Sequence, residues 1–374
     1  MESIQNMSRR NFVKVFGLAS GGLIIGCQFS SEKDIVRIDD GTTFAPNLFV
    51  QLKKDGKLIL VCSRSEMGQG IRTSLTSAIA DEMEADWNYV SVEQATGDKK
   101  FGNQNTDGSR SVRTILEPMR KMGATAKALL IAAAAKKWQV AETDCKAEMH
   151  YVINKNNDKK IFFGDLVEDA MKIDVPTNIS LKDKKDFNYI GKTLGSVDIK
   201  DFTHGSATYG LDARLPNMKF AVIARCPSTF GTVKSFDKTA TLKIAGVENV
   251  IELERVKKPF GMLGGVAVIA SNTWSAIQGR NNLDIHWDKG SNGQYDSKKY
   301  MQKITNRVHN NAKVAPPTKG NVNAAFSKAS QIVEATYQLP HLAHAPMETP
   351  NALAWVHDRE CEVWAPLQDP QTAR

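Results

Sequence analysis

An apolar strand-like run, KLILVC, leads directly into SRSEMGQG and then into IRTSLTSAIADEMEA, with glycines at 68 and 70 between the two. The order is strand, glycine turn, helix. From Arg72 to Ala85 the apolar residues Leu75, Ile79 and Met83 recur every four positions and Ala78 falls on the same face, which predicts a helix laid against a core. Glycine carries no Cβ, so this turn can bring backbone close to a ligand, and the following helix's first N–H groups stand where an anion is favoured. Gln69, between the glycines, offers an amide that both donates and accepts. The GKS or GKT tail of a phosphate loop is missing, and a GxG by itself is more often a tight turn with no ligand.

The segment NLFVQLKKDGKLILVCS reads as two strands joined at Lys54, Asp55 and Gly56, a hairpin signal. Beyond the helix, Tyr89 to Ala95 alternates as a strand, GDKKFGNQNTDGSRS is a polar loop, and Leu116 to Trp138 is a long alanine-rich helix whose apolar content implies burial. Residues 160–176 give a strand (KIFF), a helix opened by Asp165 and a stop at Pro176. From about Gly195 the texture changes to short strands separated by glycine or proline turns and interrupted by one helix, TWSAIQGR, which marks a separate α+β module. An amphipathic stretch and a linker-like PPTKG follow, after which strands are expected at QIVEATYQL and ECEVWAPL. At 374 residues the chain exceeds what one core serves, so the fold class is α+β and multi-domain. The expected division is a leader at 1–27, a linker at 28–45, an α/β region with the glycine turn at 46–194, the second module at 195–290, and a further domain begun at 291–374 and apparently unfinished.

The leader, SRRNFVKVFGLASGGLIIGC, sets Arg9, Arg10 and Lys14 before an apolar stretch too short and glycine-rich to span a bilayer, the pattern of an export signal. SRRNFVK resembles the twin-arginine signal, which exports proteins already folded, and Ile24 to Cys27 resemble a lipobox in which Cys27 is acylated. These features imply a periplasmic or cell-envelope protein held to the membrane through a lipid, with an unmodified Cys27 as the alternative. Part of the net charge of +8 belongs to this leader, and the remaining basic residues are dispersed among acids. No basic run with interleaved aromatics suggests nucleic acid as a partner. The five cysteines include no CxxC, so neither a zinc knuckle nor an iron–sulfur cluster fits within the chain.

TDGSRSVR, with Ser109, Arg110 and Ser111, clusters hydroxyls and guanidiniums ahead of a helix as a phosphate binder would, although by itself it is more often a capped loop. His341, His344 and Glu348 have a ligand-like spacing, but prolines at 340, 346 and 350 rule out the continuous helix of a zincin site. No GxSxG elbow, cysteine nucleophile motif or dinucleotide GxGxxG is present.

Taken together the motifs resemble the molybdenum-binding large subunit of the xanthine dehydrogenase and aldehyde oxidase family, and most closely the isoquinoline 1-oxidoreductase type of that subunit, its beta chain. EMGQGIRT is similar to the family's MGQG turn; LKDKKDFNYIGK and GSATYGLDARLPNMKFAVIARCP resemble the entrance to its α/β hammerhead domain, and GGVAVIASNTWSAIQGRNNLDIHWDKG that domain's end. HAPMETPNALAWV and CEVWAPLQDPQTAR resemble the start of its large molybdopterin domain. The glycine turn precedes the hammerhead, as in isoquinoline-type subunits. The resemblance implies molybdenum with molybdopterin, in the cytosine dinucleotide form, approached by Gly68, Gln69 and Gly70, with Gln368 beside the metal and Ser109, Arg110 and Ser111 near the dinucleotide phosphates. It implies hydroxylation of an N-heteroaromatic or aldehyde substrate with oxygen from water, and electrons passed to a small [2Fe–2S] partner subunit. The family's catalytic glutamate and its GGxFG segment have no counterpart up to Arg374, so this chain alone is expected to be inactive and to be the N-terminal half of an enzyme. Two other classes stay open: a cofactor-free exported binding or scaffold protein that kept the fold, and an exported metal hydrolase using His341 and His344.

Overall fold

The computed structural model describes residues 43–374 apart from 177, 259–260 and 312–318, so Arg9, Arg10 and Cys27 lie outside the described residues. Strands β1 (Thr43–Asn47), β2 (Val50–Lys53), β3 (Leu58–Cys62) and β4 (Val90–Gln94) form one sheet in that order. The first two pairings are antiparallel and β3 pairs with β4 in parallel, which requires a crossover. Helix α1 (Ile71–Met83) supplies it, and β3, covered on both faces, has all five residues buried. Helix α2 (Ser111–Trp138) packs along α1, closest at Gly123, where a Cβ would lie 2.3 Å from the Ile79 carbonyl oxygen. The helix starts at Ser111 rather than at the expected Leu116. Strands β5 (Cys145–Glu148), β6 (Tyr151–Asn154) and β7 (Lys160–Phe162) form an antiparallel meander, followed by the one-turn helix α3 (Val167–Ala170). Leu52, Leu60, Leu75, Ile79, Met119, Leu130 and Phe163 are among the fully buried side chains joining these elements into one core.

The connector after α3 is tied back by charge. Asp81, fully buried on α1, accepts from Lys182 Nζ at 2.8 Å and from the backbone N–H groups of Asn188, Tyr189 and Ile190 at 3.1, 2.9 and 2.8 Å. Burial alone would raise its pKa, but these donors outweigh it and hold the carboxyl below the ordinary carboxylate range. Its neighbour Glu82 accepts from Arg120 Nε at 2.7 Å and from the Lys182 N–H at 3.0 Å.

The chain divides into two compact units, one of residues 1–210 with 354–374 and the other of residues 211–353. In the second, β8 (Phe220–Ala224), β10 (Val247–Leu253) and β11 (Gly265–Ala270) form an antiparallel sheet with β11 central. β9 (Thr232–Asp237) pairs with β12 (Asp284–Asp288), and helix α4 (Thr273–Asn281) packs on β8 and β11. Its core is small, centred on Val250, Val266 and Val268. Helix α5 (Ser297–Asn311) follows. The strand expected at QIVEATYQL is absent: the stretch is irregular and exposed, with Val333 82% and Tyr337 89% accessible. An alternating pattern makes a strand only where a partner strand takes up its N–H and C=O groups, and none of the described strands pairs with it. In the first unit β13 (Leu353–His357) and β14 (Glu360–Trp364) form a two-stranded sheet before the C-terminal residues. None of the helices among the described residues is long and apolar enough to cross a membrane.

Candidate functional site

Three segments of the first unit meet: the turn between β3 and α1, the loop between β4 and α2, and the last residues of the chain. Ser65 donates through Oγ to the Leu367 carbonyl at 2.7 Å and through its N–H to Thr106 Oγ1 at 2.9 Å. Thr106 and Gln368 are joined twice, Thr106 N–H to the Gln368 carbonyl at 2.9 Å and Gln368 Nε2 to the Thr106 carbonyl at 2.9 Å. Gln371 accepts the Gln104 N–H through Oε1 at 3.4 Å and donates through Nε2 to the carbonyls of Asp98, at 3.3 Å, and Gly102. Gly97 lies so close beneath that a Cβ there would stand 3.0 Å from the Pro370 oxygen. The segments singled out as EMGQG, TDGSRS and the glutamine after the last tryptophan, distant in sequence, are therefore adjacent.

The glycine turn has the expected backbone but a different occupant. Gly68 and Gly70 have φ of 91° and 79°, a region open to glycine, and a Cβ at either would meet nothing within 4 Å. The N–H groups expected to stand free for a ligand are already engaged by Glu66. Its Oε1 accepts from Gly68 and Gly70, each at 2.9 Å, and its Oε2 from Arg72 at 3.1 Å. The chain puts its own carboxylate where the helix terminus favours negative charge. Gln69 is exposed, its Nε2 donating to the Ser65 carbonyl at 3.0 Å and its Oε1 accepting the Met67 N–H at 2.6 Å. Each amide atom retains one further site for a ligand.

In the second loop Ser109 takes a left-handed φ of 53° and Ser111 opens α2. Arg110 sits at the helix boundary and donates through Nε to Asp107 Oδ1 at 3.0 Å, with a second bond from Nη2 to the same oxygen. Its charge is thus locally compensated. Gln368, exposed, keeps Oε1 and its second amide hydrogen uncommitted among the described residues.

Sequence reasoning missed three contributors, Arg64, Glu66 and Gln104, and had Thr106 only as the first residue of TDGSRSVR. Glu66 had a signal, since a carboxylate just ahead of a glycine turn and helix start is placed to reach the helix's first N–H groups. Arg64 had none, because its burial is tertiary: it is 4% exposed, with Nη1 donating to Asn103 Oδ1 at 3.3 Å and to the Asn105 carbonyl. Arg64 Nε and Gln104 Oε1 are buried polar atoms without a hydrogen-bond partner. Burial, then the proximity of Arg110, lowers the Arg64 pKa. Burial pushes the Cys62 thiol up to about 11, so it stays protonated and is no nucleophile at neutral pH. In the second unit the His341 ring lies tilted against Tyr300, centroids 5.7 Å apart, and no group of three His, Cys, Asp or Glu among the described residues is placed to hold a metal ion.

A model of the molybdopterin cofactor-binding domain matches residues 2–211, and a second model of that description matches residues 304–374. The chain is 29% identical over 373 residues to the membrane-bound aldehyde dehydrogenase (pyrroloquinoline-quinone) of Gluconacetobacter polyoxogenes, covering 96% of this chain and 48% of that protein. It is 25% identical over 417 residues to the beta chain of isoquinoline 1-oxidoreductase from Brevundimonas diminuta, covering 97% and 52%, and 25% identical over 330 residues to a nicotinate dehydrogenase subunit of Pseudomonas putida, covering 87% and 27%. It spans about half the length of the first two relatives. Quinoline 2-oxidoreductase from Pseudomonas putida 86 aligns over 32% of this chain and 15% of that one, at 18% identity and a TM-score of 0.29.

Proposed function

The chain belongs to the family of molybdopterin cofactor-binding domains, and from that membership we propose that it forms the cofactor-binding portion of an exported molybdenum hydroxylase acting on N-heteroaromatic or aldehyde substrates. The observation that carries the reading is the convergence of the Ser65 to Gly70 turn, the Asn103 to Ser111 loop and Gln368 in one layer, held by the double bond pair between Thr106 and Gln368. The substrate class is drawn from relatives named for isoquinoline, nicotinate and aldehyde oxidation. The residues fit the group: two orphaned polar atoms, Arg64 Nε and Gln104 Oε1, belong to this layer, and the Gly68 to Gly70 backbone is open to close approach.

When bound, the molybdenum centre supplies the two-electron oxidation by which an electron-poor carbon exchanges hydrogen for a hydroxyl derived from water, releasing two protons and two electrons. Gln69 and Gln368 would hold it through their uncommitted amide sites, and Ser109, Arg110 and Ser111 would lie along the phosphates of a cytosine dinucleotide form. Glu66 locks the glycine turn in the shape that presents Gln69. No residue described here is assigned as the proton-removing base. Residues 195–290 are read as the α/β hammerhead module.

Molybdenum and pterin measured on the purified full-length protein test the reading. Gln69→Ala and Gln368→Ala should each lower retained pterin, and turnover by at least about tenfold, because a hydrogen bond to a charged group is worth about 1.5–3 kcal/mol. A full-length preparation that carries neither molybdenum nor pterin would point to the cofactor-free scaffold instead, and recovered pyrroloquinoline quinone would replace the cofactor. We place the protein in the cell envelope: Arg9→Lys with Arg10→Lys should retain it in the cytoplasm, and Cys27→Ser should release it from membranes by removing the acyl anchor. Its electrons are proposed to leave through a small subunit with two [2Fe–2S] clusters, docked over on the order of 2,000 Å². A stoichiometric partner without iron would sink that assignment.

A further inference from the structure

The site contains four places where an anion could sit, and three are taken. The N–H groups of Gly68, Gly70 and Arg72 hold Glu66, and Arg110 holds Asp107. Arg72 is likewise matched, its Nε 3.3 Å from Asp198 Oδ2. Arg64 is different. The residue is only 4% exposed, yet both of its hydrogen bonds go to neutral acceptors, Asn103 and Asn105, and leave from the single atom Nη1. It forms no ion pair of its own among the described residues: Asp198, Asp107 and Glu66 are matched to other groups, and Asp369, whose charge favours the guanidinium, accepts from Thr372. A buried cation is costly unless an anion completes it, and a guanidinium with Nε unsatisfied is the natural fork for a phosphate.

We infer that Arg64 is an anion-binding residue of this site and that its buried guanidinium receives a phosphate or pyrophosphate group of a ligand seated against the Asn103 to Arg110 loop. The inference rests on reading the layer as a site for a phosphate-bearing cofactor, and it names the residue that anchors the phosphate. Burial and the nearby Arg110 charge both disfavour the protonated guanidinium, as expected of a group whose counter-ion arrives with the ligand.

The test titrates inorganic pyrophosphate into the full-length protein, stripped of cofactor, and follows both binding heat and the rise in Tm. The wild type should show a saturable rise. Arg64→Met should weaken pyrophosphate binding at least tenfold and remove the rise, and Arg64→Lys, keeping charge but losing the fork, should weaken it severalfold. Gly123→Ala is the control for a merely structural role: it strains the joint between α1 and α2 and lowers the starting Tm, but should leave the pyrophosphate increment intact. If Arg64→Met folds poorly, the comparison of Arg64→Lys with Gly123→Ala decides. A full increment in either Arg64 variant, or none in the wild type, overturns the assignment. Repeating the titration on cofactor-loaded protein separates the sources: blocked binding identifies the cofactor's own phosphate, and persistent Arg64-dependent binding identifies a free one. Arg64-dependent pyrophosphate binding in a protein that never carries pterin would defeat the molybdopterin reading and keep Arg64 as an anion anchor. A pterin-loaded protein indifferent to Arg64 would do the reverse.

Discussion

His150 is fully buried among Tyr89, Phe162 and Phe163, with Nδ1 accepting the Asp86 N–H at 3.2 Å and Nε2 donating to the Gly56 carbonyl at 3.0 Å. Burial pushes its pKa from 6.5 down to about 4. The unfolded chain therefore takes up a proton near pH 6.5 that the folded one refuses until about pH 4, so stability is highest above pH 6.5 and falls as pH drops between the two values. The loss attributable to this group by pH 4 is about 3 kcal/mol. Urea unfolding of wild type and His150→Gln at pH 7 and pH 4 should show the wild type losing that much more, and parallel losses would assign the acid sensitivity to carboxylates such as Asp81. Glu66→Ala, which deprives three N–H groups at the start of α1 of their acceptor, should cost about 1–2 kcal/mol by the same measurement. These residues also mark what a sequence shows of a site. Gln69 and the glycines stand out because their local spacing is unusual, and Gln368 only because a family pattern surrounds it. Arg64 and Gln104 owe their environment to chain far away and look like ordinary polar loop residues.

At the level of elements, the joint between α1 and α2 depends on Gly123. A methyl group there would strike the Ile79 carbonyl, a backbone atom that cannot swing aside, so Gly123→Ala should cost about 1–3 kcal/mol, and Gly123→Val more, read as a falling urea midpoint. The connector at 182–190 depends on α1 in a second way. Asp81→Asn keeps the size but leaves Lys182 with Glu84, 2.8 Å away, as its remaining charged partner, and should cost about 2–4 kcal/mol. Its signature would be faster amide exchange at Asn188 to Ile190 than elsewhere in the unit. The strands around the glycine turn and the helix behind it were legible because apolar period and turn chemistry agree there. The start of α2 was not, since SVRT continues the polar chemistry of the loop before it. QIVEATYQL misled for the opposite reason: its pattern fits a strand, but pairing is decided by neighbours that no local pattern contains.

For the molecule as a whole, the binding layer belongs to one unit and is closed by residues from its two sequence extremes. Deleting residues 366–374 should leave the β5–β6–β7 meander protected and raise amide exchange across 97–108 by at least about tenfold, because the bonds from Gln368 and Gln371 go with it. Mass-spectrometric hydrogen exchange would read this directly, and unchanged protection at Thr106 would show that the loop holds itself. The α+β character followed from the change in texture along the sequence. The return of residues 354–374 to the first unit did not, because a contact spanning most of the chain leaves no local trace. That contact also sets a clock. Thr106 and Gln368 are 262 positions apart, so at about 5–20 residues per second a ribosome makes Gln368 roughly 13 to 52 seconds after Thr106. Until then the loop waits without the wall that completes it, so a cofactor seated in the proposed layer is expected to load only after synthesis has passed that point.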